Sequence, residues 1–293
     1  MADPRAAELP PPNFYAHQTA APTASEWDIS DAATVAIYAD AERRHVWFHE
    51  RSRRVLSFLS RDGVRPTARV LEVGCGAGPV LAALSSAGYD VVGVEMHASL
   101  GRRAAEAVPR SRVYCLDVRD PPERFLQEGA FDAVGLFDVI EHVDDPTGLL
   151  RACARRLRPG GLLCGTVPAL ALLWSKYDVA MGHRTRYDRA GLAALLGALG
   201  LPAWRLDYFF QVLVPGLLVR ALVVGRDRAV DAEQRRVVFA RSLAPPGALA
   251  TAAFTALFAV ERWWHDRGQA AGAAAVAGTS LWFSAIVEEP ARL

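Results

Sequence analysis

The chain has 293 residues, 52% of them hydrophobic, which suits one large buried core with at most a small appendage. A formal net charge of +1 leaves no electrostatic footprint for nucleic acid or an anionic membrane. Four cysteines, Cys75, Cys115, Cys153 and Cys164, stand far apart without C-x-x-C spacing, which argues against a disulfide framework or a zinc site and for a reducing compartment. No metal is expected, and with no basic and apolar signal region at the start, a cytoplasmic protein is.

Residues 1–25 are rich in alanine and proline, with Pro10, Pro11 and Pro12 consecutive, and are expected to be a disordered leader. The character changes over residues 26–66. Val35, Tyr38, Val46, Trp47, Val55, Leu56 and Leu59 recur at helical spacing among arginines, predicting one or two helices ahead of the first strand. The stretch from Glu42 to Arg51 is unusually aromatic for a surface helix. Its plain reading is a helix packed on the domain with a solvated arginine face; the alternative is a direct part in holding substrate.

The run Arg69-Val-Leu-Glu-Val-Gly-Cys-Gly-Ala-Gly78 is a short apolar strand ending in three alternating glycines, followed by a helical pattern from Pro79. Glycine lets the backbone bend sharply and lets a ligand approach with no Cβ in the way, while the helix start offers unpaired N–H groups. The G-x-G-x-x-G spacing of dinucleotide sites fails, because its third glycine would fall where Pro79 stands. Proline there also removes an N–H that a pyrophosphate would use.

In these residues the chain resembles class I S-adenosylmethionine-dependent methyltransferases. The resemblance implies S-adenosyl-L-methionine as cofactor, with Glu72, Gly74, Cys75, Gly76 and Gly78 about its methionine half, in a domain spanning 67–293.

The second strand, Asp90 to Glu95, completes a βαβ pattern. Glu95 stands at its C-terminal end, where a carboxylate accepts both hydroxyls of a ribose, and Met96 beside it is placed to pack on the adenine. A third strand from Arg112 ends at Asp117. The resemblance gives Asp117 the adenine amino group and the Val118 N–H a ring nitrogen. The fourth strand, Phe131 to Phe137, leads into Asp138-Val-Ile-Glu-His142, which matches the family's segment after that strand and places Phe137 and Asp138 at the cofactor. With a fifth strand at Leu162 to Val167, the predicted fold is α/β: a doubly wound, mostly parallel, Rossmann-like sheet of seven strands, the last antiparallel.

After the sixth strand, near Ala203 to Phe210, residues 211–278 are expected to form a helical insertion before the final strand. The apolar stretch Phe209 to Val224 covers 16 residues and is broken by Pro215, Gly216 and Arg220, short of the roughly 20 needed to span a bilayer. No transmembrane segment is expected, and peripheral membrane contact and oligomeric state are left open. Above the fifth strand, Trp174, Tyr177, His183, Arg184, Arg186 and Tyr187 bring rings and cations where an acceptor would bind. The Gly-His-Arg-x-Arg-Tyr pattern and the aromatic helix resemble a bacterial methyltransferase group that accompanies saccharide-modifying enzymes.

The expected function is therefore methyl transfer to a hydroxyl, less readily an amine or carbon, of a small molecule, a secondary-metabolism product or a saccharide. His142, just after the fourth strand, is the candidate base, its ordinary pKa near 6.5 suiting proton removal; a loop-ordering role beside Asp138, Glu141 or Asp144 is the alternative. A non-catalytic S-adenosylmethionine-binding protein and a dinucleotide-dependent oxidoreductase are the other readings, the last disfavoured by Pro79.

Overall fold

Val70, Leu71 and Val73 have no polar side to give to water, so their strand must be covered on both faces, and it becomes the middle of the sheet. The computed structural model describes residues 11–17, 32–201, 203–224, 231–270 and 276–289. In chain order the elements are β1 (Phe14–Ala16), α1 (Ala32–Arg44), α2 (Val46–Arg61), β2 (Arg69–Val73), α3 (Pro79–Ser86), β3 (Asp90–Glu95), α4 (Ala98–Ala107) and β4 (Arg112–Cys115). Then come α5 (Glu123–Leu126), β5 (Phe131–Phe137), α6 (Pro146–Ala154), β6 (Leu157–Pro168), α7 (Lys176–Ala180) and α8 (Arg189–Gly197). The last are β7 (Trp204–Phe209), α9 (Val214–Val224), α10 (Ala232–Leu243), α11 (Ala248–Ala270) and β8 (Ser280–Val287).

The strands lie in the order β1-β4-β3-β2-β5-β6-β8-β7. All pairings are parallel except those of β8, which is antiparallel to both β6 and β7. The chain winds outward from β2 through β3 to β4, then returns to β5 on the other side of β2. That reversal opens a crevice over the C-terminal strand ends, the usual ligand position in such sheets.

Two expectations change. The sheet has eight strands, and the additional one, β1, falls in the stretch read as a disordered leader; residues 1–10 and 18–25 lie outside the described residues. Phe14 is buried, Tyr15 stacks on Tyr114 with centroids 4.9 Å apart, and the Asn13 side chain donates to the carbonyls of Ala105, Val108 and Ser111. The second change is the arginine face of α2. Arg51 and Arg54 are 6% and 1% exposed, turned inward against acids rather than into water.

Arg54 donates to Glu261 of α11 at 3.2 Å and lies 3.5 Å from Glu50. Glu261 also accepts from the backbone N–H groups of Phe210 (2.6 Å) and Val212 (3.2 Å). Phe210 sits at φ +61°, an uncommon left-handed conformation for a bulky side chain. The carboxylate of α11 thus fixes the place where the chain leaves the sheet for the insertion. Among the described residues no single helix is long and apolar enough to cross a membrane; one pair, Glu233–Leu243 with Ala248–Trp264, reaches that length and composition only together and is bent by 69°.

Removing one partner from this buried network leaves acids without their counter-charge. Arg54→Ala is expected to lower the unfolding free energy in urea by about 3–5 kcal/mol, while Arg53→Ala, on the exposed side of the same helix, should stay within about 0.5 kcal/mol.

Candidate active site

The turn after β2 runs in the left-handed region at Gly74 (φ +76°), Gly76 (+56°) and Gly78 (+93°). At Gly76 the requirement is also steric, since a Cβ there would lie 2.7 Å from Glu42 Oε1. Glu42 comes from α1 and its Oε2 accepts from the Ala77 N–H at 2.8 Å. Glu95, at the end of β3, accepts from Gly76 N and from His97 N, both at 2.9 Å, so one carboxylate fastens the turn to the next strand.

Over this turn lies a cavity of about 520 Å³. Gly74, Gly76, Glu95, Met96, Asp117, Val118 and Asp138 line it, as expected of cofactor residues. Glu72, Cys75, Gly78 and Phe137 do not. Glu72 and Cys75 are buried behind the turn, Gly78 starts α3 against Ala104, and Phe137 stacks on Trp282. Asp117 is gripped by Arg119, which against the effect of burial holds its carboxyl below the ordinary range and keeps it an acceptor.

The electrostatics of the turn select the ligand. Glu42, Glu72 and Glu95 are 4%, 2% and 6% exposed, and Glu72 Oε2 has no hydrogen-bond partner among the described residues. Burial pushes the Glu42 carboxyl up to about 8 against the pull of Arg51, and it raises Glu72 well above the carboxylate range. Burial thus holds these two carboxyls protonated, and a ligand bearing cationic groups, which would stabilise their charged form, is favoured over a pyrophosphate, which would not. The ammonium and sulfonium of S-adenosylmethionine meet that demand.

A second cavity, about 280 Å³, adjoins the first, and both are lined by Tyr38, Asp138 and His142. Its floor is α2, with Trp47, Phe48 and Arg51; its roof is the insertion, with Leu213, Leu217 and Arg220, then Leu243, Phe254 and Phe258. Asp138 marks the junction. It takes φ +58° at the end of β5, accepts from Thr166 Oγ1 at 3.2 Å, and receives Arg51 Nη1 at 2.7 Å.

The six acceptor candidates divide. Tyr177, His183 and Arg186 line this second cavity. Arg186 and His183 are nevertheless committed to Asp178, at 2.7 and 2.9 Å, bonds that hold its carboxyl down at about 2 although burial opposes them. Arg184 faces the cofactor cavity instead, paired with Asp144 and donating to the His142 carbonyl. Trp174 and Tyr187 line neither cavity, and the Tyr187 hydroxyl donates to the Ile140 carbonyl at 3.3 Å.

His142 lies 3.3 Å through Nδ1 from the Gly182 carbonyl, so Nδ1 carries the proton and Nε2 is the acceptor nitrogen. Burial, then the charge of His183, draws its pKa down to about 3, which corrects the expectation of an ordinary imidazole. Glu141 is fully buried with no hydrogen-bond partner for either oxygen among the described residues, and burial raises its carboxyl well above the usual value. No metal was expected from the sequence, yet donor atoms of Glu141, His142 and His183 lie within 4.8 Å of one another, close enough to share a cation.

The reversing parallel sheet, the positive-φ glycine turn and the acid cluster beneath it define an S-adenosylmethionine-type α/β site. The sequence model of the methyltransferase domain family matches residues 40–206, more than half of the chain, and the chain belongs to that family. A ubiquinone biosynthesis O-methyltransferase of Xanthomonas campestris is 36% identical over 117 residues, 37% of this chain and 46% of the relative. Its counterpart in Xanthomonas oryzae is 40% identical over 99 residues, 33% and 41% of the two chains. The chain thus spans less than half the length of these curated relatives. Among solved structures, the complex of the Haloferax volcanii Trm112 methyltransferase activator with its methyltransferase partner aligns over 89% of this chain and 96% of that one, at 17% identity and a TM-score of 0.50, a likeness of fold.

Sequence reasoning missed Tyr38, Glu42 and Arg51 as site residues. For Glu42 and Arg51 the signal was the aromatic and charged density of the stretch they bound, read there as a packed helix with a part in holding substrate as the alternative; Tyr38 was read only as an apolar position at helical spacing.

Two outcomes are expected. Gly76→Val and Glu95→Ala should each weaken S-adenosylmethionine binding tenfold or more in calorimetry, the first by filling the cradle, the second by orphaning two backbone donors at about 1–3 kcal/mol each. Glu42 holds a proton in the folded protein, from its ordinary value near 4.5 up to about 8, that the unfolded chain has lost. Ligand-free stability should therefore fall as pH rises through that window, by at most about 1.4 kcal/mol per pH unit. Glu42→Gln should flatten the slope of urea midpoints taken at pH 5, 6.5 and 8.

Proposed function

We propose that this protein transfers a methyl group from S-adenosylmethionine to a hydroxyl of a mostly apolar small molecule. The observation that carries this reading is the meeting of the two cavities at Tyr38, Asp138 and His142. A donor over the glycine turn and an acceptor under the insertion would face each other there. The Xanthomonas relatives are O-methyltransferases, which supports oxygen as the atom modified. The rings and aliphatic chains of the second cavity favour a natural-product-like body over a bare saccharide.

Bound S-adenosylmethionine supplies a methyl group on a sulfonium sulfur, already electrophilic, so the protein's task is placement and dryness. Trp47, Phe48, Phe254 and Phe258 exclude water around the acceptor. Arg51 holds Asp138, and Asp138 holds the strand end that separates the cavities. His142 Nε2 receives the hydroxyl hydrogen, pointing an oxygen lone pair toward the cofactor side. A nitrogen with a pKa of about 3 is a weak base, yet an oxygen gaining a methyl group becomes a far stronger acid than imidazolium, so the proton moves as transfer proceeds.

An acceptor screen read by the mass gain of one methyl group tests the reading, and no product from any hydroxylated apolar candidate would overturn it. With an acceptor in hand, His142→Ala should lower turnover on the order of 10² with S-adenosylmethionine affinity little changed. The parental rate should show no imidazole titration between about pH 5.5 and 8, because His142 stays neutral throughout.

A further inference from the structure

Among the described residues, one guanidinium lining the acceptor cavity has no ion-pair partner. Of the three arginines lining it, Arg51 is paired with Asp138 and Arg186 with Asp178. Arg220, on α9, lies with Cζ 4.7 Å from the centroid of the Tyr177 ring, and its buried Nε has no hydrogen-bond partner among the described residues. Among the described residues no carboxylate is within ion-pair distance of it. Asp178, the acid that acts on it from α7, already accepts from Arg186, His183 and the Ser175 N–H. An aromatic face attracts the charge but leaves the N–H donors of the fork without acceptors. A guanidinium taken partly out of water, with no counter-ion, is costly to keep unless a ligand completes it.

The surroundings define the rest of the ligand. Leu213 and Leu217, on the same side of the insertion, and Phe254 and Phe258 opposite are apolar. Arginine's planar fork pairs in bidentate fashion with carboxylate or phosphate oxygens. We propose that the acceptor is an amphiphilic anion, an apolar body bearing one carboxylate or phosphate, and that Arg220 binds its anionic group while the hydroxyl to be methylated rests at His142. This rests on the methyltransferase reading and narrows its substrate class.

The full chain, saturated with S-adenosylhomocysteine, is titrated calorimetrically with decyl phosphate, decanoate and decanol below their micellar concentrations. The parent should bind one or both anions at least tenfold more tightly than decanol, the tighter anion identifying the group. Arg220→Met should reduce that preference to within about twofold, leaving decanol and S-adenosylhomocysteine binding as in the parent, and Arg220→Lys should restore part of it. Equal binding of all three by the parent, or a preference that survives in folded Arg220→Met, overturns the proposal. If S-adenosylhomocysteine itself does not bind, the cofactor reading fails, and the same titrations without it still decide the role of Arg220.

Discussion

The ion pair between Arg51 and Asp138 joins the parts on which the site depends. It links the first long helix to the end of a central strand, at 2.7 Å and nearly out of water, where a broken pair would leave an uncompensated charge. Asp138 is held in a left-handed conformation that an aspartate tolerates only with support, and Thr166 on the neighbouring strand provides a second anchor. Arg51 is in turn packed between the rings of Trp47 and Phe48, each 5.2 Å from its Cζ. One guanidinium therefore fixes the strand end at which the two cavities meet.

The sheet and the insertion divide the chemistry between them. The strand ends present acids: Glu95, Asp117 and Asp138 line the larger cavity, while Glu42 of α1 bonds the glycine turn through the Ala77 N–H. The insertion presents aliphatic and aromatic groups and one arginine to the second cavity. Its outer side leaves Leu222, Val223 and Leu249 exposed at 67%, 79% and 90%, so the covering is apolar on both surfaces.

What the sequence makes legible follows from how local each signal is. The glycine turn, the buried strands and the acids at their ends are short-range patterns, and the doubly wound sheet and the cofactor cavity follow from them. β1 escapes notice because three residues beside a proline run have no periodicity; Phe14 and Tyr15 acquire a role only once Val113 and Tyr114 lie alongside. Arg51, Arg184 and Arg186 look equivalent in sequence. Their fates differ because Asp138, Asp144 and Asp178, each distant or turned differently in the chain, claim them in space. The burial that moves His142 from an ordinary imidazole to a weak base is likewise a property of packing from Gly182 and His183, about 40 residues away.

β8 is the last strand along the chain yet lies inside the sheet, between β6 and β7. During synthesis its two neighbours are made first and stand with a strand's width between them. Until residues 280–287 emerge, the cofactor half can assemble on β2 to β6, while β7 and the helices attached to it have no sheet to close on. Asp62, beyond the end of α2, marks the moment of closure: it accepts from Trp282 Nε1 at 3.1 Å and Ser284 Oγ at 2.6 Å. A nascent chain could thus complete the sheet beneath the glycine turn before the second cavity has its roof, and a ligand bound over that turn would stabilise such an intermediate.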